Sequence, residues 1–596
     1  MTSLEVARRF GVEVDVRRMF GWGLKAGTVM TFTAAVGMLE AFEDRLLVYP
    51  VLSLGYLMLL WIVPVAGYRA TLAPVREGVD DVPRGRWNLI GGVAVGLMGG
   101  VVLGVFAMIV DSFDLRRVFV AFSPRLVELL TAGGGVPRGL VVTVVLPALL
   151  GLAGGLMHLF SPVTRRRVIL AAEWVVVVAI LEQVVAQILR RIHLETVADG
   201  IFTLRALEWW AALAVAVVVG SVSGRTGRRL GRIRQQLFSV DPRRRTRNSA
   251  WLSGVVLVML ILLPQLLGSV LSEVLANVGL FLLMALGLNV VVGLAGMLDL
   301  GYVAFFAVGA YTVGVLTSPI SPRFALEWNW WAALPVAILA SAIAGLLVGL
   351  PVIRMRGDYL AIVTLGFGEI VRILFLSDWL SPTFGGAQGV LNIPGIPLGF
   401  TEVSGVGPEG VLYFALLFVI LAAWISWSLQ ESRIGRAWMA LREDETVAGA
   451  MGINIVRAKL NAFIVGAILA GFAGALFAAK LGSVFPSSFE FLVSIIILVV
   501  VIIGGMGNIQ GVALGAVVLI GVLGGPQVPG LLQEFSEFKL LIYGALLVFM
   551  MLRRPEGLLP NVRRSRELHG EDLTQDDWLQ EKASIAGPSE GSVNAR

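Results

Sequence analysis

Along nearly its whole length the chain alternates long apolar runs with short polar ones. Six apolar runs of roughly helical-span length lie near positions 24–42, 47–66, 88–110, 139–160, 168–188 and 208–222. Ten more lie near 251–271, 274–297, 299–317, 329–353, 359–377, 410–429, 460–480, 489–506, 510–525 and 537–552. A helix crossing the hydrocarbon of a bilayer needs about 20 such residues. The pattern therefore predicts an all-α, polytopic transmembrane helix bundle of about 16 spans in two membrane domains. The first run follows Arg8, Arg9, Glu13, Asp15, Arg17 and Arg18, and no small-residue cleavage site follows it. It reads as a retained span and not a signal peptide.

Composition sharpens the picture by exclusion. Of 596 residues, 57% are hydrophobic and 15% charged, against about 25% charged in a soluble domain. Too few charges remain to clothe several soluble domains, so a soluble enzyme is excluded. With no cysteine there are no disulfides, thiolate ligands or cysteine nucleophiles. The three histidines, His158, His193 and His569, stand far apart, and no metal site is expected. The net charge of +6 is concentrated in short basic runs, above all Arg225–Arg247. No aromatic-interleaved basic face accompanies them. They point to membrane lipid on the cytoplasmic side and away from nucleic acid.

That rule orients the second half. With Arg225–Arg247 inside, Arg354 and Arg356, the charged loop 430–459 and the tail after Arg553 and Arg554 all fall inside. The loop 378–409 falls outside, with Asp378, Glu402 and Glu409 but no Lys or Arg. Counting back puts the N-terminus and Arg165–Arg167 inside as well, so both termini are cytoplasmic. Arg116, Arg117, Arg190 and Arg191 then lie outside, against the rule. The organisation read from this is an N-terminal membrane domain of unknown role (1–224), a basic cytoplasmic linker (225–250) containing Asp241-Pro242, a second membrane domain (251–560), and a polar cytoplasmic tail (561–596).

Transport needs an energy source. The five lysines are Lys25, Lys459, Lys480, Lys539 and Lys582, and none follows a glycine. The chain thus lacks the Gly-Lys-Ser/Thr of a phosphate-cradling loop, and any ATP that drives it is hydrolysed by another polypeptide. Intramembrane carboxylates would mark an ion-coupled carrier; the candidates are Glu173, Glu182, Asp299, Glu369 and Glu490, and no close pair marks a proton relay. Glycines crowd two regions: Gly287, Gly293, Gly296, Gly301 and Gly309, then Gly504, Gly505, Gly507, Gly511 and Gly515. They suit close helix packing, or they permit unwound segments near Asn289 and Gly296 that expose backbone dipoles to a substrate. Gly366 and Gly368 beside Glu369 offer the same opening from a facing helix. The loop 430–459 has helical periodicity over roughly twenty residues, with Trp438, Leu441, Val447 and Met451 as one apolar stripe. Arg436, Arg442, Glu443, Asp444 and Glu445 take the other face, and Gly452-Ile-Asn454 stops the helix. Such a helix at the cytoplasmic mouth either docks into a partner's groove or satisfies itself.

Residues from about 251 to 560 resemble the LivM-type permeases of branched-chain amino acid ABC transporters. The matching words are Gly287-Leu-Asn-Val-Val-Val-Gly-Leu-Ala-Gly296 and Asp299-Leu-Gly-Tyr-Val-Ala-Phe-Phe-Ala-Val-Gly-Ala-Tyr311. They continue with Arg356-Gly-Asp-Tyr-Leu-Ala-Ile-Val-Thr-Leu-Gly-Phe-Gly-Glu369 and Gly385-Gly-Ala-Gln-Gly389. The loop Arg433–Asn454, Gly504-Gly-Met-Gly-Asn-Ile-Gln-Gly511 and Arg554-Pro-Glu-Gly-Leu-Leu559 complete the set. The resemblance implies a permease with no catalytic residues and no bound cofactor, served by two ATP-binding subunits, a second LivH-type permease and an extracytoplasmic substrate-binding protein. It makes the Arg433–Asn454 loop the ATPase-coupling loop. It also makes Asn289, Gly296, Tyr302, Tyr311, Gly366, Gly368 and Glu369 candidates for the substrate pathway in a cell (inner) membrane importer of hydrophobic amino acids. Urea and short-chain amide permeases share these words and are the alternative substrate class; an ion-coupled carrier using Glu182 and Glu369 is the alternative mechanism. Residues 1–245 show none of these words, nor those of a LivH-type permease.

Overall fold

In a computed structural model the described residues are 16–72, 85–113, 116, 119, 121–133, 135–191, 193–221, 264, 268–321, 323–352, 355, 357–398, 402–403, 407–526, 528 and 530–559. Arg8, Arg9, Glu13, Asp15 and Arg117 lie outside them, as do the 225–250 linker, most of the 251–271 run, Arg354 and Arg356, and the 561–596 tail. The chain divides into two units, Met1–Val255 and Val256–Arg596. Among the described residues eight helices are long and apolar enough to cross a membrane, or nine if one bent pair counts as a span. The chain is a polytopic helical membrane protein, with two departures from an all-α fold: a four-stranded and a two-stranded patch of sheet.

The first unit begins with α1 (Val16–Ala35), then β1 (Leu46–Tyr49) and β2 (Leu52–Ser53), which pair antiparallel. The run 47–66 is therefore not one straight span. Pro50 lacks the amide a helix would need there. The Ser53 hydroxyl then accepts from Tyr56 N at 3.3 Å and starts α2 (Leu54–Leu60), followed by α3 (Ile62–Ala70). Two long helices follow, α4 (Gly85–Ser112) and α6 (Gly135–Leu156), with the short α5 (Pro124–Leu130) between them. The pair α4 and α6 meets backbone to backbone. A Cβ at Gly96 would strike the Pro147 carbonyl, and one at Gly92 the Gly151 carbonyl. That small-residue spacing is how helices associate in lipid, where Leu gains nothing from packing on Leu.

The run 168–188 is bent. Helix α7 (Pro162–Ile180) meets α8 (Glu182–Arg191) at 75°. The bend lets buried Glu182 lie 3.8 Å from Arg45 and Arg190 lie 3.0 Å from Asp199. Arg190 and Arg191 thus sit on a separate amphipathic helix, which removes the straight span assumed when they were counted against the charge rule. Helix α9 (Glu195–Ile201), strands β3 (Phe202–Thr203) and β4 (Ala206–Glu208), and α10 (Trp209–Ser221) close the unit. Strand β4 runs parallel to β1, giving the order β2-β1-β4-β3.

The second unit contains α11 (Gly268–Leu294), α12 (Val303–Thr317), α13 (Trp330–Val352), α14 (Asp358–Leu376) and α15 (Pro408–Glu431). Strands β5 (Ile396–Pro397) and β6 (Glu402–Val403) pair between α14 and α15. Then come α16 (Arg433–Glu443), α17 (Glu445–Ala450), α18 (Ile455–Leu481), α19 (Phe491–Gly504), α20 (Ile509–Gly521) and α21 (Lys539–Arg553). The core lies around α18: Trp330 Nε1 of α13 donates to Ala475 O at 3.2 Å, and Gly309 of α12 abuts Gly471. The 299–317 run yields only 15 helical residues, about 22 Å at the helical rise and short of a full crossing. At the end of the unit, Leu558 N donates to Ile503 O at 2.7 Å, so the segment after α21 is laced to the end of α19.

Candidate functional site

The glycine-rich end of α11 is where the helix stops being regular. Over Asn289–Leu294 it widens to a π-helix, with Ala295 N reaching Val290 O at 3.1 Å, and the chain turns at Gly296, φ +72°. Met297 N returns to Val291 O at 3.0 Å. The Gly293 carbonyl therefore loses the amide that a continuing helix would have supplied. Irregular backbone at membrane depth is tolerated only where other groups satisfy it, and here they do. Asn289 Oδ1, buried, accepts from Gly507 N at 2.8 Å. Arg442 Nη1 donates to Gly293 O at 2.7 Å. Leu300 N donates to Thr364 Oγ1 at 3.0 Å, Gly301 N to Asp299 Oδ1 at 2.9 Å, and Val303 N to Ser494 Oγ at 3.0 Å.

The candidate pathway residues lie in several separate surroundings. Gly296 lies against Arg442 of the 433–450 loop, and Asn289 bonds to Gly507. Tyr302 is wholly buried, and its hydroxyl donates to Gly466 O at 2.8 Å, which makes it a strut between α12 and α18. Gly368 faces Gly301 across the α12–α14 contact, whereas a Cβ at Gly366 would meet nothing within 4 Å. Tyr311 lies in an aromatic cluster, stacked on Phe375 at 4.2 Å with Phe384 and Phe489 beside it. Glu369 is half-buried and already engaged: Arg372 Nε donates to its Oε1 at 3.0 Å. Sequence reasoning missed Arg372 although its place three residues along the same helix was legible; Thr364 and Ser494 carried no such signal, because their partners are remote in the chain.

The loop 433–450 is two helices rather than one of twenty residues. The carboxylate of Asp444 interrupts it, accepting from Thr446 N at 2.7 Å and Val447 N at 3.0 Å as the cap of α17. The expected single stripe divides accordingly. Trp438 and Leu441 are buried, and Trp438 Nε1 donates to Ala458 O at 2.9 Å. Val447 and Met451 are instead 58% and 78% exposed. Glu445 pairs with buried Lys459 at 2.8 Å, which ties α17 to α18. Arg436 Nη1 donates to Glu431 O at 2.9 Å, and Glu443 is exposed. Gly452 supplies a left-handed turn, φ +87°, that lets Ile453 N reach back to Ala448 O at 3.1 Å. Asn454 then caps α18, accepting from Arg457 N at 3.0 Å.

An interrupted, buried helix inside a membrane helix bundle is an arrangement that transport proteins use. Residues 270–551 match the family model described as branched-chain amino acid transport system, permease component. The LivM permease protein of Salmonella typhimurium is 44% identical over 309 residues, covering 48% of this chain and 69% of the relative. That of Escherichia coli is 43% identical over the same length. The LivH permease protein of Salmonella typhimurium is 25% identical over 292 residues, covering 47% of this chain and 91% of that relative. No solved structure matches. The chain belongs to the family of branched-chain amino acid transport permeases, LivM type, and carries an additional N-terminal region.

Proposed function

We propose that this chain is a membrane subunit of an ATP-driven importer of branched-chain or other hydrophobic amino acids, placed in the cell (inner) membrane with both termini cytoplasmic. The shorter apolar helices, with α1 and α21, make up most of the rest of about sixteen membrane-inserted segments; the 251–271 run lies largely outside the described residues. ATP is hydrolysed by two partner subunits. A LivH-type permease completes the pore, and an extracytoplasmic binding protein delivers the substrate. The observation that carries this reading is the divided loop helix: Trp438 and Glu445 fix it to the chain's own α18, while Val447 on α17 and Met451 at its C-terminal end are exposed. Apolar side chains exposed beside a charged loop are what a docking helix needs. The ion-coupled alternative is weakened, since Glu369 and Glu182 each face an arginine.

The test is affinity purification from the native membrane of the wild type and of a Val447→Asp/Met451→Asp double variant, followed by reconstitution with labelled leucine and competing urea. ATP-binding subunits should accompany the wild type and be lost from the variant, and leucine should be carried only with ATP. A chain that purifies alone and transports without ATP would sink the reading. ATP-driven uptake of urea in preference to leucine would move the substrate to the amide class.

A further inference from the structure

The end of α11 is held by a residue that belongs to a different structural element. Helix C-termini leave carbonyls unpaired and carry partial negative charge, and a cation placed there is stabilising. In this protein the cation comes from α16. The Arg442 guanidinium donates to Gly293 O at 2.7 Å, and its aliphatic stem lies against Gly296, where a Cβ would come within 2.6 Å of Arg442 Cγ. A Cβ at Gly507 would lie 3.5 Å from Arg442 Nη1 and 3.2 Å from Gly293 O. Gly507 N in turn donates to Asn289 Oδ1, one turn back on α11. Three elements therefore meet at one joint: the π-helical end of α11, the loop helix α16, and the Gly505–Asn508 turn between α19 and α20. Trp438, also buried on α16, donates through Nε1 to Ala458 O of α18. Arg442 thus gives the loop helix a side-chain hydrogen bond to α11.

We infer that Arg442 is the positioning residue that makes the end of α11 move with the loop helix, so that displacement of α16 by a docked ATPase is passed to the pore helix. This rests on the transporter reading above and adds the link that reading lacks. Arginine suits the task because a charge-assisted bond to a freed carbonyl holds through a movement that a neutral contact would not survive. Removing it would leave the loop docked and ATP hydrolysed, but the pore uninformed.

The experiment uses the full complex purified through this chain and reconstituted in vesicles, comparing Arg442→Gln and Arg442→Lys with wild type. The Gln variant should keep its ATP-binding subunits, while substrate carried per ATP falls by about tenfold, the effect of losing one charged hydrogen bond; Lys should restore most of it. An unchanged ratio in the Gln variant would overturn the inference. Loss of the ATPases from that variant would also overturn it, by making Arg442 a docking residue. Absence of ATPases from the wild type would instead defeat the underlying reading. A second measurement leaves Arg442 intact. Because the chain has no cysteine, spin labels at Glu443→Cys and Leu298→Cys report the separation of the two elements. It should stay constant on adding ATP, and a change of about one helical turn, ~5 Å, would show that they move apart independently.

Discussion

The α4–α6 pair of the first unit and the α11–α12 region of the second are both apolar and glycine-rich, yet they fold in opposite ways. In the first, Gly92, Gly96 and Gly151 let two unbroken helices touch through their backbones. In the second, the chain unwinds after Asn289 and turns at Gly296, and the freed backbone is met by Thr364, Ser494 and Arg442. Glycine allows both outcomes and selects neither. What distinguishes the regions is how their buried polar side chains are used: Asn289 and Asp299 bond to backbone at the opened segment of the second, whereas Thr143 on the contact of the first bonds within its own helix, to Leu140 O at 3.0 Å. An intramembrane polar group is costly unless paired, so a pair of such residues marks where backbone has been opened and repaired.

Substitutions can break or sharpen this contrast. The largest effect is expected at the closest approaches. Gly96→Val and Gly301→Val would each drive a side chain into a backbone carbonyl, of Pro147 and Thr364 respectively. Both should abolish a monodisperse peak in size-exclusion chromatography, because backbone cannot yield as a flexible side chain does. A well-behaved Gly301→Val protein would show that Gly301 and Thr364 do not meet. Next comes Asn289→Leu, which leaves the buried Gly507 amide without its acceptor. It should lower unfolding stability in detergent by about 1–3 kcal/mol, with no counterpart when an apolar residue of α4 is exchanged for another of similar volume. The smallest is Gly366→Ala. With open space around it, thermal stability should move by less than about 0.5 kcal/mol; a large loss would mean that this face of α14 is covered in the assembled protein.

Residues differed in how well the sequence revealed them. The stop-and-start signal of Gly452-Ile-Asn454 was readable because turn and cap are local: one left-handed glycine, one side chain bonding three residues ahead. The Asp444 cap was equally local, yet it was read as surface charge, and the loop accordingly as one helix. The hairpin at Pro50 and the bend after Ile180 were hidden, since hydropathy counts apolar residues without regard to direction. Glu369 is legible as an intramembrane carboxylate, and its partner Arg372 lies three residues further on along the same helical face.

By itself the sequence determined that the chain lives in a membrane, that it carries no Gly-Lys-Ser/Thr word, and that its second half speaks the vocabulary of a permease family. Those properties follow from composition and from words of neighbouring residues, which need no three-dimensional knowledge. Only the tertiary structure decided which glycines pack and which turn, that Val447 and Met451 face outward while Trp438 does not, and that Arg442 reaches Gly293 across 149 residues. Such pairings depend on which helices become neighbours. In a uniformly apolar chain hydropathy says little about that; a few buried polar groups, each requiring a partner, settle it.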